Sequence, residues 1–140
     1  MMYMLDTNIL IFVLRHPRSK CAKIIAGHLG HDICISVITY AELEFGIQNS
    51  SNPARNREAV QRVLAGIPIV DFGQDAALHF GSILADLRKQ HLDGGNQDRD
   101  KMIAAHARSL GYTVVTHNRK DFEMVNGIKL TDWVSDGDLK

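Results

Sequence analysis

The chain has 140 residues, 45% hydrophobic and 23% charged, with Lys plus Arg and Asp plus Glu balanced at 16 each. That length suits a single domain over 1–140 that buries a core without staples, and the composition fits a soluble globular protein rather than a disordered or fibrous one. With a formal net charge of zero, bulk charge argues neither for nor against nucleic acid, and only local clusters bear on it.

The apolar opening YMLDTNILIFVL is interrupted by Asp6 and Asn8 and carries neither a basic leader nor a small-residue cleavage site, so it does not read as a signal peptide. No run reaches the length of a membrane span, and two cysteines are too few for a disulfide framework; a cytosolic location is expected. Residues 3–6 read as a short strand, after which Ile9, Phe12 and Val13 fall at helical spacing with Thr7 or Asn8 available as the cap. A helix from about Ser19 to Leu29 leads to ICISV at 33–37, a buried second strand. Thr39 to Gln48 reads as a helix opened by the box Thr39-x-x-Glu42. After the linker NSSNPARN a helix over 55–65 is expected, with Pro53 at its start, then a strand at IPIVDF, 67–72. A long amphipathic helix from Asp75 to Gln90, the loop HLDGGNQ, and a helix from Asp98 to a left-handed cap at Gly111 follow. TVVT at 113–116, a short helix near 120–124, a turn at Asn126-Gly127 and a short strand at IKL complete the pattern. Strands alternating with helices predict an α/β fold whose sheet is mostly parallel.

In open sheets of this kind ligands bind beyond the carboxyl ends of the strands. Asp6 closes the first strand, Glu42 lies in the helix after the second, and Asp100 stands in the first turn of its helix. Convergent carboxylates repel one another and persist when a cation joins them; a hard divalent ion such as Mg²⁺ or Mn²⁺ prefers such oxygen ligands. The chain therefore reads as a metal-dependent phosphate enzyme. Each acid also has a plainer explanation. For Asp6 it is a helix cap, although Thr7 and Asn8 already offer caps; Glu42 could serve only the capping box, and Asp98 or Asp100 only the cap and the helix dipole, with Asp100 the better site candidate because it shares a face with Ile103, Ala104 and Ala107, which should point toward the sheet. Thr116 and Asn118 end the fourth strand, either as turn residues or as hydrogen-bonding supports for a carboxylate or a metal-bound water. His106, among the small residues of IAAHA, reads as a packing histidine. Basic residues gather at Arg15, His16, Arg18, Lys20 and Lys23, at Arg55, Arg57 and Arg62, and at Arg99, Lys101, Arg108, Arg119 and Lys120, where they form either solvated helix faces or phosphate contacts. Cys21, His28, His31 and Cys34 are zinc-type residues, but they lack paired ligand spacing and are rejected as a site. No phosphate-cradling glycine loop or nucleophile elbow is present.

The blocks MLDTNI, TYAELEFG, DKMIAAHARSLG and VVTHNRKDF, with DW near the end, occur in the order seen in one family. In these motifs the chain resembles the PIN domain of VapC-type toxins from bacterial toxin–antitoxin pairs. The resemblance implies a three-layer α/β/α fold with a central, mostly parallel sheet of four to five strands. It also implies a Mg²⁺- or Mn²⁺-dependent endoribonuclease, with water attacking to leave a 5′ phosphate and a 3′ hydroxyl. On it, Asp6, Glu42 and Asp100 form the catalytic and metal-binding cluster, with Asp98 as a further metal candidate and Thr7, Asn8, Thr116 and Asn118 in support. Asn118 stands where many PIN domains have a fourth acid, and Gln97 where relatives often have glycine. RNA, tRNA among its candidates, a VapB-type antitoxin and a second copy of the chain are the implied partners, in a bacterial cytoplasm. Phe12, Tyr40 and Phe45 are candidates to line the antitoxin groove. Two alternatives remain at this level: a PIN-fold binding module with weak catalysis, and a structure-selective DNA nuclease.

Overall fold

A computed structural model describes residues 1–92 and 98–139; the loop readings at 93–97, Gln97 included, lie outside the described residues. The elements in chain order are β1 (Tyr3–Leu5), α1 (Thr7–Arg15), α2 (Lys20–His28), β2 (Ile33–Ser36), α3 (Val37–Gln48), α4 (Pro53–Leu64) and β3 (Ile69–Val70). Then come α5 (Gln74–Lys89), α6 (Asp98–Leu110), β4 (Thr113–Val115), a 3-10 turn at Arg119–Asp121, β5 (Lys129–Thr131) and a last 3-10 turn at Asp136–Leu139.

The strands form one parallel sheet in the order β3-β2-β1-β4-β5. Tyr3 stands opposite Ile33 on one side and Thr113 on the other, so β1 is central, with a parallel neighbour on each edge. Side chains alternate between the faces. Leu5, Ile33, Ile35 and Val115 enter a core with α1, α2, α3 and α4, whereas Met4, Cys34 and Val114 enter one with α5, α6 and Phe122. This is the three-layer sandwich expected. Both faces of the sheet are covered, which is why the short strands read as continuous apolar runs.

Several boundaries differ from expectation for local reasons. Strand β3 is only two residues long, because Pro68 offers no N–H and contributes just its carbonyl, which accepts from Ile35 N at 2.9 Å. Helix α3 begins at Val37 rather than Thr39, because the Ser36 hydroxyl accepts from Ile38 N and caps it there. Gly111 adopts φ +73° and ends α6 as read from the sequence. Among the described residues no helix is long and apolar enough to cross a membrane.

The strand order reverses at β1. From β1 the chain winds outward to β2 and β3, then returns to β4 and β5 on the other side. The crevice beyond the carboxyl ends of β1 and β4 is the place where such a sheet exposes a site.

Candidate active site

Asp6 follows β1 directly and its N–H donates to Val115 O at 3.1 Å, which locks it to the end of β4. It is 1% exposed. Its extended backbone (φ −79°, ψ 172°) and position before Thr7 make it the N-cap of α1, with Oδ1 accepting from Ile9 N at 2.9 Å. Neither Thr7 nor Asn8 is the cap, because both already lie inside the helix; only the half-in residue preceding it can turn its side chain onto the free amides. The other oxygen, Oδ2, is buried without a hydrogen-bond partner. Leaving such an atom unmatched costs about 1–3 kcal/mol, and more for a charge.

Burial pushes the Asp6 carboxyl up to about 7, against the pull of the Thr116 hydroxyl and the Ile9 amide and with added repulsion from Asp100 and Asp121. Asp100, half-buried in the first turn of α6, is raised to about 6, first by burial and then by Asp121 and Glu42, with Arg99 opposing. Asp100 and Asp121 thus bear on Asp6, and Asp121 and Glu42 on Asp100. Asp100 shares its helix face with Ile103, Ala104 and Ala107, all buried against the sheet, as the spacing predicted.

Glu42 sits in the second turn of α3, and the capping box read for it does not form because Ser36 holds that role. Instead Thr7 Oγ1 donates to Glu42 Oε1 at 2.7 Å and lies 3.2 Å from Thr39 Oγ1. Thr7 thus ties α1 to α3 through Glu42 and Thr39. Glu42 Oε2 is 3.5 Å from Arg99 Nε. Turned this way, Glu42 does not close a three-acid cage: among the described residues no three His, Cys, Asp or Glu side chains are placed to hold one ion together.

Asp98 does not join the cluster. Two residues on a helix are about 200° apart in azimuth, so with Asp100 facing the sheet the Asp98 side chain is 69% exposed and pairs with Lys101 at 3.7 Å. Thr116 is fully buried, and its hydroxyl accepts from Asn118 N at 3.0 Å. Asn118 is exposed, and its backbone carbonyl accepts from Asp121 N at 3.0 Å, starting the 3-10 turn. That turn brings Asp121 toward Asp6 and Asp100. Asp121 was not among the residues singled out from the sequence. Its signal was an acid three residues beyond Asn118, so the turn supplies a fourth acid without Asn118 being one. Asn8 is half-buried in the first turn of α1.

His106 is a packing histidine: buried, with Nδ1 2.8 Å from Ser36 Oγ and its ring edge-on to Phe72. Desolvation holds its pKa below the usual histidine value, so it stays neutral. Cys21 and Cys34 are buried free thiols in the two separate cores, while His28 bonds Asp32 at 2.6 Å and stacks on Trp133, so no zinc site forms. Of the second basic cluster, Arg57 forks onto Glu44 and Arg62 pairs with Glu58, which uses those charges within the fold.

A groove of about 430 Å³ between α1, α3 and α4 reaches Glu42, with Ile11, Leu14, Leu43, Ile47 and Val60 as its apolar wall and Arg15 beside them. Tyr40 lines an adjoining hollow. Phe12 packs against the core and Phe45 is exposed, and neither is among the residues lining this groove.

The family model for the PIN domain matches residues 3–128. The chain belongs to the PIN domain family. Within it the similarity runs to VapC ribonucleases: it is 37% identical over 131 residues to the tRNA(fMet)-specific endonuclease VapC of Shigella flexneri, covering 94% of this chain and 97% of that one. It is 40% identical over 133 residues to ribonuclease VapC2 of Haemophilus influenzae, covering 94% and 98%. Among solved structures, DNA-bound VapBC from Salmonella typhimurium superposes with a TM-score of 0.87 at 35% identity, covering 95% of this chain and 98% of that one. VapBC2 from Rickettsia felis, bound to a promoter DNA fragment, also gives 0.87, at 29% identity and 95% and 99% coverage.

Proposed function

We propose that this PIN domain is the toxin of a toxin–antitoxin pair, a divalent-metal-dependent endoribonuclease with tRNA as its favoured substrate class. The observation that carries the reading is Asp6 Oδ2, a buried carboxylate oxygen without a partner, beside Asp100 and Asp121. Mg²⁺ is commonly bound through one or two carboxylates and keeps several waters, so the Asp6 and Asp100 pair fits such an ion without a third acid on it. Asp6 and Asp100 would hold it directly, with Glu42 through water or at a second ion and Asp121 alongside. Bound there, the ion supplies charge compensation at the scissile phosphate and acidification of the attacking water.

The chain's own residues do the rest. The cap bond from Ile9 N fixes the Asp6 carboxylate through Oδ1 and leaves Oδ2 without a protein partner, and Thr7 orients Glu42. Asp6, raised to about 7, is poised to exchange a proton near neutral pH when no cation is present. The relatives are named as VapC ribonucleases, one of them specific for tRNA(fMet), and the similar structures are VapBC complexes. These support a VapB-type antitoxin as partner, its apolar segment seated in the groove that reaches Glu42. A homodimer in a bacterial cytoplasm is part of the same proposal.

The test is cleavage of initiator tRNA and of mixed RNA by the purified chain. Mg²⁺ or Mn²⁺ should support it, and EDTA or Asp6→Asn should reduce it by at least about 100-fold, within the range for losing a transition-state charge contact. Cleavage indifferent to both would sink the reading; preferential cleavage of single-stranded DNA in competition would replace its substrate.

A further inference from the structure

Among the described residues Arg99 is the cation set against the carboxylate cluster, and its manner of contact differs from that of Arg57 and Arg108, the two arginines that the fold engages through several nitrogens. Arg57 engages Glu44 through both terminal nitrogens, and Arg108 uses all three of its nitrogens on His79 and the Asn126 carbonyl. These are arginines fixed within the fold. Arg99 approaches Glu42 Oε2 only through Nε, at 3.5 Å, well beyond the 2.7–2.9 Å of a charge-assisted hydrogen bond. Its side chain is 61% exposed, against 18% for Glu42. The Nη fork makes no hydrogen bond to a described residue.

The anchor also has a definite origin. Arg99 lies between exposed Asp98 and half-buried Asp100 in the first turn of α6, so its stem leaves the helix at the rim of the cluster. Glu42 draws the Nε edge inward, and Asp100 feels the guanidinium charge. A loosely held, outward guanidinium at the edge of four acids does little for the fold. It does match the fork geometry by which arginine takes two oxygens of one phosphate.

A nucleic-acid strand entering this crevice meets carboxylates at the point of cleavage, and its neighbouring phosphates need a cation of their own. We propose that Arg99 is the phosphate-binding residue that holds the RNA backbone next to the cleaved bond. The inference rests on the reading of the cluster as a nuclease centre, and it adds to that reading a contact that positions the strand.

Two measurements test it. First, affinity for a single-stranded oligoribonucleotide is followed by fluorescence anisotropy across KCl concentrations in the Asp6→Asn background, with and without R99Q. Loss of one phosphate contact should flatten the log–log salt slope by about 0.7. R99K should keep the slope and recover only part of the affinity, since it preserves the charge but not the fork. Second, in the otherwise unaltered chain R99Q should raise KM about tenfold with kcat within threefold, while Mn²⁺ affinity by titration calorimetry stays unchanged. An unchanged slope, or a loss of cleavage traced entirely to weaker Mn²⁺ binding, would overturn the proposal; in the latter case Arg99 acts only through Glu42. If Asp6→Asn fails to abolish cleavage, the nuclease-centre reading falls separately, and the salt slope still decides whether Arg99 contacts phosphate.

Discussion

The two oxygens of Asp6 have different fates, and the difference has a measurable consequence. Oδ1 completes a helix cap, while Oδ2 is buried without a partner. Because burial lifts the folded-state pKa to about 7, the native protein binds a proton more readily than the unfolded chain. Stability without metal is therefore highest below the unfolded carboxylate pKa and declines as pH rises through about 7, by on the order of 4 kcal/mol in full. Asp6→Asn removes the ionisation but keeps the cap, since Asn caps as well as Asp. In EDTA its melting temperature should exceed that of the parent chain by several degrees at pH 8, with the gap shrinking steadily as pH falls and closing only below about pH 4. Saturating Mn²⁺ should raise the parent's melting temperature and leave the variant's nearly still. A parent curve that rises between pH 5 and 8 in EDTA would contradict the assignment. Residue-scale reading also separates Glu42 from its plain explanation: the box it could have closed is pre-empted by Ser36, and its bond to Thr7 crosses between helices.

At the scale of elements, the short 3-10 turn at Arg119–Asp121 matters more than its size suggests. It is started by the Asn118 carbonyl and follows Thr116, whose hydroxyl accepts from Asn118 N, so the chain reverses beyond β4 and returns an acid to the crevice. Asn118 by itself favours a catalytically weak module; Asp121 is an acid within electrostatic reach of Asp6 and Asp100. Asp121→Asn should weaken Mn²⁺ binding about tenfold, the lower end of what losing an outer partner costs a metal site. Titration calorimetry reads this directly, and unchanged affinity would place Asp121 outside the site. Helix α6 shows how much one element's periodicity conveys: the faces of Asp100, Ile103, Ala104 and Ala107 followed from spacing alone, and the same geometry sends Asp98 outward. The capping of α1 and α3 was misread because several polar residues in a row can each cap a helix, and the backbone conformation selects among them.

Across the whole molecule, the segment after β5 returns to close the far end of the first helical layer. Trp133 stacks on His28 at 4.7 Å and packs against Tyr3, and Asp138 accepts from Lys20 N at 2.8 Å and Cys21 N at 3.2 Å at the start of α2. Those amide contacts hold the Asp138 carboxyl below its usual range despite opposing desolvation. Asp138→Ala should speed amide exchange at residues 20–22 and 133–138 while β1 and β4 stay protected. Exchange unchanged in both segments would show that the aromatic stack alone holds this end.

The sequence by itself determined the alternation of strands and helices, the apolar runs of the buried strands, the motif order of the PIN family, and the expectation that Asp6, Thr116 and the helix after the second strand share one edge. These follow from local periodicity and from the rule that parallel strands share a carboxyl end. Only the tertiary structure decided that Asp6 is the cap of α1, that Asp121 faces the cluster, that Asp98 leaves it, and that Glu42 is held between Thr7 and Arg99. Each of these depends on which side chains from distant parts of the chain meet, and on which competing polar group reaches a free amide first. Periodicity places a residue on a face; contacts across 32 to 35 positions, such as those of Thr7 with Thr39 and Glu42, are set by how the faces pack.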